Sequence, residues 1–209
     1  ALEAGADPVV VVVGHQGDEV RDALTALLPG APLRFARQER QLGTAHAVLS
    51  AKAALRGYHG PVLILSGDTP LLTARTLEAV LAARPAPGSL SFATMVLENP
   101  AGYGRVVHSP ERGPALIVEE KDATPEERKI QEVNAGLYAA DADFLWRTLS
   151  RVDAKNAARE FYLTDLVALA AEGPGAVAAR IVPACSTVTR SISLTNSSTD
   201  LPSTESAFV

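Results

Sequence analysis

The stretch PVLILSGDTPLL (Pro61–Leu72) constrains the chain most. Its apolar run, Val62–Leu65, stops at Ser66-Gly67-Asp68, and Thr69-Pro70 ends it. A short continuous apolar run bounded by turn residues reads as a strand buried on both faces, as in a parallel sheet. In open α/β sheets the carboxyl ends of strands face the ligand crevice. An Asp placed there, behind a Gly that allows close approach, can hold a hard cation against phosphate oxygens. The same Asp could instead cap the turn before a helix beginning near Thr73.

Around this stretch, segments of strand and helix character alternate. Val9–Val13 is five consecutive valines, a buried-strand signal. After the turn at Gly14–Gly17, Asp18 can cap a helix whose stripe is Val20, Ala23, Leu24 and Leu27. Leu33–Arg37 is short and extended, Gln38–Ala45 is a polar loop, and Thr44–Leu55 is Ala-rich and helical. A helix is expected from Thr73 to Ala83, closed by Pro85 and Pro87. Strands are expected at Leu90–Leu97, from Gly104, at Ala115–Glu120, at Gln131–Ala139 and at Val177–Val182. Helices are expected at Asp141–Leu149, around Trp146, and at Phe161–Ala171. Thr124 and Glu127 make a capping box. Such alternation predicts an α/β fold with a mostly parallel sheet flanked by helices.

Composition narrows the functions. A formal net charge of −5 and a pI near 5.4 argue against a nucleic-acid backbone as partner. One cysteine, Cys185, excludes an internal disulfide framework and a Cys-based zinc site. No apolar run approaches the roughly 20 residues that span a bilayer, so no membrane partner is expected and the location expected is cytoplasmic. Two compositional regions are distinguished: residues 1–183, and a Ser/Thr-rich tail, 184–209, with 12 Ser or Thr in 26 residues against 15 in the preceding 183. Such a tail buries too little apolar surface to offset chain entropy and is expected to be disordered. ALEAGADP at the start reads as the end of a helix capped by Gly5, so a segment is expected to precede it.

Six polar segments sit at the ends of these elements: QLGTA (Gln41–Ala45, with Gln38 before it), SGDTPLL (Ser66–Leu72), NPAGYGRVV (Asn99–Val107), IVEEKDAT (Ile117–Thr124), EVNAGLYA (Glu132–Ala139) and EFYLTD (Glu160–Asp165). Glutamine amides can read the donor–acceptor edge of a base, and a Gly at a loop–helix junction frees backbone N–H groups. Taken singly, the first segment is also compatible with a surface loop capped by Thr44.

In this order and spacing, the six segments resemble the uridyltransferase domain of the bacterial bifunctional N-acetylglucosamine-1-phosphate uridyltransferase / glucosamine-1-phosphate acetyltransferase family, over residues 1–183. The resemblance implies a Rossmann-like GT-A nucleotidyltransferase fold. It also implies formation of UDP-N-acetylglucosamine and pyrophosphate from UTP and N-acetylglucosamine 1-phosphate with Mg2+. By motif position, Gln38 and Gly43 resemble the uracil readers and Thr44 a contact at the nucleotide–sugar boundary. Asp68 resembles the metal ligand, and Gly104, Glu119 and Asn134 the residues holding the sugar.

The family's Gly-rich phosphate loop, with its Arg and Lys, and its GVN motif are not in this sequence; Asn196, in LTN, does not take the GVN role. A first sheet strand is therefore expected to be missing, leaving an aggregation-prone edge beside Val9–Val13. Little activity is expected of this chain alone, and the catalytic loop residues stay unassigned. The trimer of the full-length family is not expected to be maintained. The alternatives are a non-catalytic fragment with partial nucleotide or sugar binding, or a related hexose-1-phosphate nucleotidyltransferase. Glu120 and Lys121 read as a solvated pair worth under about 1 kcal/mol. None of the four histidines has metal-ligand spacing, Tyr103 and Trp146 read as packing residues, and Asp165 is expected to order local structure.

Overall fold

The computed structural model describes residues 1–69, 72–110, 113–172, 177–182 and 207–208, with residues 207–208 as backbone only. β1 (Val9–Val13) is buried along its whole length because its valines serve two cores. Val10 and Val12 face one cluster with Ala45 and Val48, whereas Val9, Val11 and Val13 face another with Val20, Leu24 and Phe35. Successive side chains of a strand point to opposite faces, so a β-branched run needs apolar cover on both. α1 (Gly17–Leu27) supplies one cover; Gln16 takes the N-cap position without a side-chain cap bond, and Asp18 pairs with Arg21 in the first turn instead of capping. The expected stripe is narrower than its spacing suggests, since Leu27 is 73% exposed.

β2 (Leu33–Arg37) runs parallel to β1. α2 (Thr44–Ser50) continues into a 3₁₀ turn, Ala51–Ala53, before β3 (Pro61–Ser66). α3 (Ala74–Ala82) begins where Thr73 accepts a hydrogen bond from the Thr76 N–H. Next come β4 (Leu90–Val96), the hairpin β5 (Arg105–Ser109) and β6 (Gly113–Val118), and β7 (Glu132–Asp141). α4 (Ala142–Leu149), α5 (Asp165–Glu172) and β8 (Val177–Ile181) complete the α/β body. The Thr124–Glu127 capping box forms, but it opens only a 3₁₀ turn, Glu127–Lys129.

The sheet order is β2-β1-β9-β3-β7-β4-β8, with the β5–β6 hairpin joined through Arg105 and Val133. The sheet is mixed. Among the described residues only β1–β2 and β4–β8 are parallel pairs, whereas β7 runs antiparallel to both β3 and β4. The expectation of a mostly parallel sheet fails for a physical reason: β3 is covered on both faces whichever way its neighbour runs. Val62 and Ile64 pack toward α4 and α5, while Leu63 and Leu65 pack against the α3 cluster. Burial reports the covering helices and carries no information on strand direction.

The expected gap beside β1 is bridged. β9 (Ala207–Phe208) pairs with Val11 on one side and with Leu65 and Ser66 on the other. These two residues belong to the Ser/Thr-rich tail, the rest of which lies outside the described residues. β9 spans only part of the space between β1 and β3, where a cavity of about 580 Å³ is lined by Val9, Val11, Leu63, Leu65 and Leu77.

The main core lies between the sheet and α2, α4 and α5. Phe92, fully buried, stacks there on Tyr138 at 6.1 Å between ring centroids. Phe92→Ala is expected to lower stability by about 3–5 kcal/mol through the cavity it leaves. Urea unfolding checks this, and a loss below about 1 kcal/mol would show that the core is not packed as described.

Candidate functional site

The loop after β2 is held at both ends. The Gln38 backbone N–H donates to the Val13 carbonyl at 2.8 Å, at the carboxyl end of β1. The Gln38 side chain, 8% exposed, turns back into its own loop: Nε2 donates to the Gly43 carbonyl at 3.1 Å and lies 3.0 Å from His46 Nδ1. Gln41 lies over the same strand end, its Nε2 3.0 Å from where a Cβ on Gly14 would stand.

Gly43 is required twice over. Its φ is +112°, and a Cβ there would sit 2.6 Å from the Phe161 carbonyl oxygen. The close approach lets two remote segments zip together. The Phe161 N–H donates to the Leu42 carbonyl at 2.8 Å, the Ala45 N–H to the Phe161 carbonyl at 2.9 Å, and the Leu163 N–H to Thr44 Oγ1 at 2.9 Å. Gly43 holds the N-cap position of α2, and Thr44 Oγ1 serves this long-range bond instead. Residues 161–164, expected as helix, pass against the loop as coil and a turn, and α5 starts only at Asp165.

A second group forms around Gly104. The Asn134 N–H donates to the Gly104 carbonyl at 2.9 Å, and a Cβ on Gly104 would stand 3.4 Å from Glu119 Oε2 and 2.7 Å from Ile117 Cγ2. Asn134 Oδ1 accepts from the Gly136 N–H at 3.1 Å, and its side chain lies close enough to the Tyr138 hydroxyl to oppose the rise in that group's pKa. Glu119 Oε1 accepts from the buried Thr164 hydroxyl at 2.9 Å. Burial raises the Glu119 pKa and the Thr164 bond opposes it; Asp122 adds to the rise and Lys121 offsets it. Burial first, then the charge of Glu119, keeps the Tyr138 hydroxyl protonated far above its ordinary range. Asp165 is pushed up to about 6 by burial and by its neighbours Asp153, Glu119 and Asp122.

The structure thus gathers Gln38, Gly43 and Thr44 in one place and Gly104, Glu119 and Asn134 in another. The segment Phe161–Thr164 ties the two together, with Leu163 bonded to Thr44 and Thr164 to Glu119. Asp68 lies exposed just past β3. Its charge, after burial, raises the pKa of Tyr103, the residue preceding Gly104. Among the described residues, no group of three His, Cys, Asp or Glu could hold a metal, and Asp68 makes no ion pair. An uncommitted carboxylate fits Mg2+, which takes one or two carboxylates and completes its shell with water and phosphate oxygens.

Three partners were not legible in the sequence. Arg105, 1% exposed, donates to the Tyr103 carbonyl and, at 2.6 Å, to Glu120 Oε2, which also accepts from the Gly102 N–H. Glu120 therefore pairs with Arg105 and not with Lys121, and the Arg105 bond holds its pKa below the usual carboxylate range. This clamp fixes the turn that presents Gly104. Thr164 and His46 are the other two. Of the remaining histidines, His59 and His108 pair with Asp143 and Glu132 at the surface.

A mixed sheet with helices on both faces, and a Gly-hinged loop coupled to a polar cluster at its strand ends, define a Rossmann-like nucleotidyltransferase. The chain belongs to the family of MobA-like NTP transferase domains, which it matches over residues 1–144. It is 66% identical over 185 residues to the bifunctional protein GlmU of Anaeromyxobacter dehalogenans (strain 2CP-1 / ATCC BAA-258), covering 88% of this chain and 38% of that protein. It is 49% identical over 173 residues to the bifunctional protein GlmU of Geobacter metallireducens, covering 82% of this chain and 36% of that protein. The chain therefore spans well under half the length of these curated relatives. A crystal structure of UDP-glucose pyrophosphorylase complexed with UDP-glucose shares the fold, with a TM-score of 0.61 at 18% identity over 82% of this chain and 71% of that one.

This geometry makes two outcomes measurable. Gly43→Ala is expected to cost about 1–3 kcal/mol and to part the loop from Phe161, read as loss of amide protection at Ala45 and Phe161; unchanged protection would overturn the coupling. For Asp165 the folded pKa is raised, so the native state holds a proton that the unfolded state has released. Stability is accordingly expected to fall as pH rises from 3.8 through about 6. Asp165→Asn should flatten that slope and raise the thermal midpoint at pH 7; an identical pH profile in the variant would refute the assignment.

Proposed function

We propose that this domain catalyses uridyl transfer, joining UTP and N-acetylglucosamine 1-phosphate into UDP-N-acetylglucosamine with release of pyrophosphate. The reading is supported by the 66% identity to bifunctional GlmU. Its weight rests on one observation: Phe161–Thr164 binds the base-side loop and the sugar-side carboxylate together.

In this reaction a phosphate oxygen of the sugar phosphate attacks the α-phosphorus of UTP in line, and pyrophosphate leaves. The nucleophile is already anionic, so no general base is needed. The protein's part is positioning and charge placement. Gln38 and Gly43 read the uracil. Thr44, whose Oγ1 accepts from the Leu163 N–H, keeps its own O–H free to donate at the nucleotide–sugar boundary. The space a Cβ on Gly104 would take stays open for the sugar; Asn134 offers its amide nitrogen, and Glu119 accepts sugar hydroxyls through Oε2. Asp68 would hold Mg2+, which would supply positive charge to neutralise the phosphates. Mg2+ dependence and a cytoplasmic location belong to the same proposal; among the described residues no helix is long and apolar enough to cross a membrane.

The test measures binding of UDP-N-acetylglucosamine, UDP-glucose and UMP to the chain with Mg2+, alongside pyrophosphate release. Glu119→Gln removes a charged acceptor, so UDP-N-acetylglucosamine is expected to bind roughly tenfold or more weakly while UMP is unaffected. Equal affinity for the two UDP-sugars would overturn the sugar assignment. Equal weakening of UMP would move Glu119 off the sugar side.

A further inference from the structure

We propose that His46 is a positioning residue for base selection: it locks the Gln38 amide in the one orientation that favours uracil over cytosine. The inference deepens the reading that Gln38 and Gly43 face the base.

Two contacts determine the amide's orientation jointly. The Gly43 carbonyl can only accept, so the amide nitrogen, and not the oxygen, faces it at 3.1 Å. The second N–H of the same nitrogen lies 3.0 Å from His46 Nδ1. That contact is favourable only when Nδ1 carries no proton, which assigns His46 the neutral tautomer protonated at Nε2. Flipping the amide would set Oε1 against the Gly43 carbonyl oxygen and leave Nδ1 facing an acceptor. Hydrogen-bond chemistry therefore admits one arrangement.

The consequence lies at the other end of the amide. With both N–H groups committed, Oε1 accepts no hydrogen bond from any described residue and stands as a fixed acceptor. The Gly43 N–H likewise makes no hydrogen bond among the described residues, so the same loop also holds an unused donor. Presented together to the 3,4-edge of a pyrimidine, an acceptor and a donor suit the N3–H and O4 of uracil. Cytosine presents a bare N3 and an amine at those positions and meets both groups with the wrong polarity. An amide free to flip would accommodate either base, so discrimination depends on what prevents the flip. His46 is suited to that: it sits on α2 immediately after the Gly43 hinge, and its ring lies 6.5 Å from the Phe161 ring, on the segment that clamps the loop.

Two measurements test this on the full chain. Long-range ¹H–¹⁵N correlation of the histidine rings is expected to show His46 bare at Nδ1; a proton there overturns the proposal. Binding of UTP and CTP, each with Mg2+, is compared in wild type, His46→Phe and His46→Asn. His46→Phe keeps the ring beside Phe161 but has no acceptor, and its UTP-over-CTP preference is expected to fall about tenfold, the scale of one misdirected hydrogen bond. His46→Asn returns an acceptor oxygen near the Nδ1 position and should restore most of the preference. A His46→Phe protein that discriminates like wild type, or an Asn variant no better than Phe, overturns the inference. A wild type without any UTP preference overturns the base reading itself, and the ring tautomer separates that result from failure of the contact.

Discussion

Everything chemical in this fold depends on one close approach, that of Gly43 to the backbone of Phe161. Two segments more than a hundred residues apart exchange backbone hydrogen bonds there, at 2.8 and 2.9 Å, with no room for a Cβ between them. Backbone pairs of this kind are stiffer than side-chain contacts because they involve no rotamers. The loop at Gly43 and the cluster at Glu119 are therefore tied to one backbone segment, Phe161–Thr164. The cost is carried locally, by a left-handed φ that only glycine adopts readily.

The charges around the sugar side are arranged on the same logic. Glu119, Asp122, Asp153 and Asp165 repel one another, and partial burial removes some of the solvent that would screen them. A fold tolerates such a cluster only where something else is gained. Glu119 gains the Thr164 hydroxyl, and Glu120, next in sequence, points away to neutralise buried Arg105. Adjacent carboxylates thus have different partners: one takes the Thr164 hydroxyl and keeps Oε2 without a hydrogen bond among the described residues, the other is consumed in bracing the turn at Gly104. Like-charged neighbours raise the free energy of such a cluster, and donors that reach these oxygens lower it.

How much of this could be read from the sequence differs by level. Element positions were legible wherever a local signal decided them: the valines of β1, the apolar run of β3, the helix start near Thr73. Strand direction was not, because helices on both faces give β3 the same apolar pattern in a parallel or an antiparallel setting. The candidate residues could be nominated as types in an ordered set of motifs. Their partners were not. Glu120 looked like a mate for Lys121 because sequence neighbours are all that a sequence displays, whereas its partner is Arg105, brought in by the β5–β6 hairpin. Thr44 and Phe161–Thr164 were expected in helical roles for the same reason: tertiary hydrogen bonds outcompeted local propensity.

The space between β1 and β3 shows the same contest in the core. Both strands are long and apolar, yet β9 meets β1 only at Val11 and β3 only at Leu65 and Ser66, and a cavity of about 580 Å³ remains beside them. Backbone groups along the rest of these strand edges find no neighbouring strand among the described residues, and apolar side chains line a void that dispersion contacts do not fill. The Gly43–Phe161 coupling and the Glu119–Thr164 bond lie on other elements, whereas the Gln38 loop is tied to the end of β1 through Val13 and Asp68 follows directly on β3. Stability and site geometry are therefore separable for the first two contacts and coupled for the others. A weakness between β1 and β3 lowers the free energy of unfolding while those two contacts stay in place until the sheet itself opens.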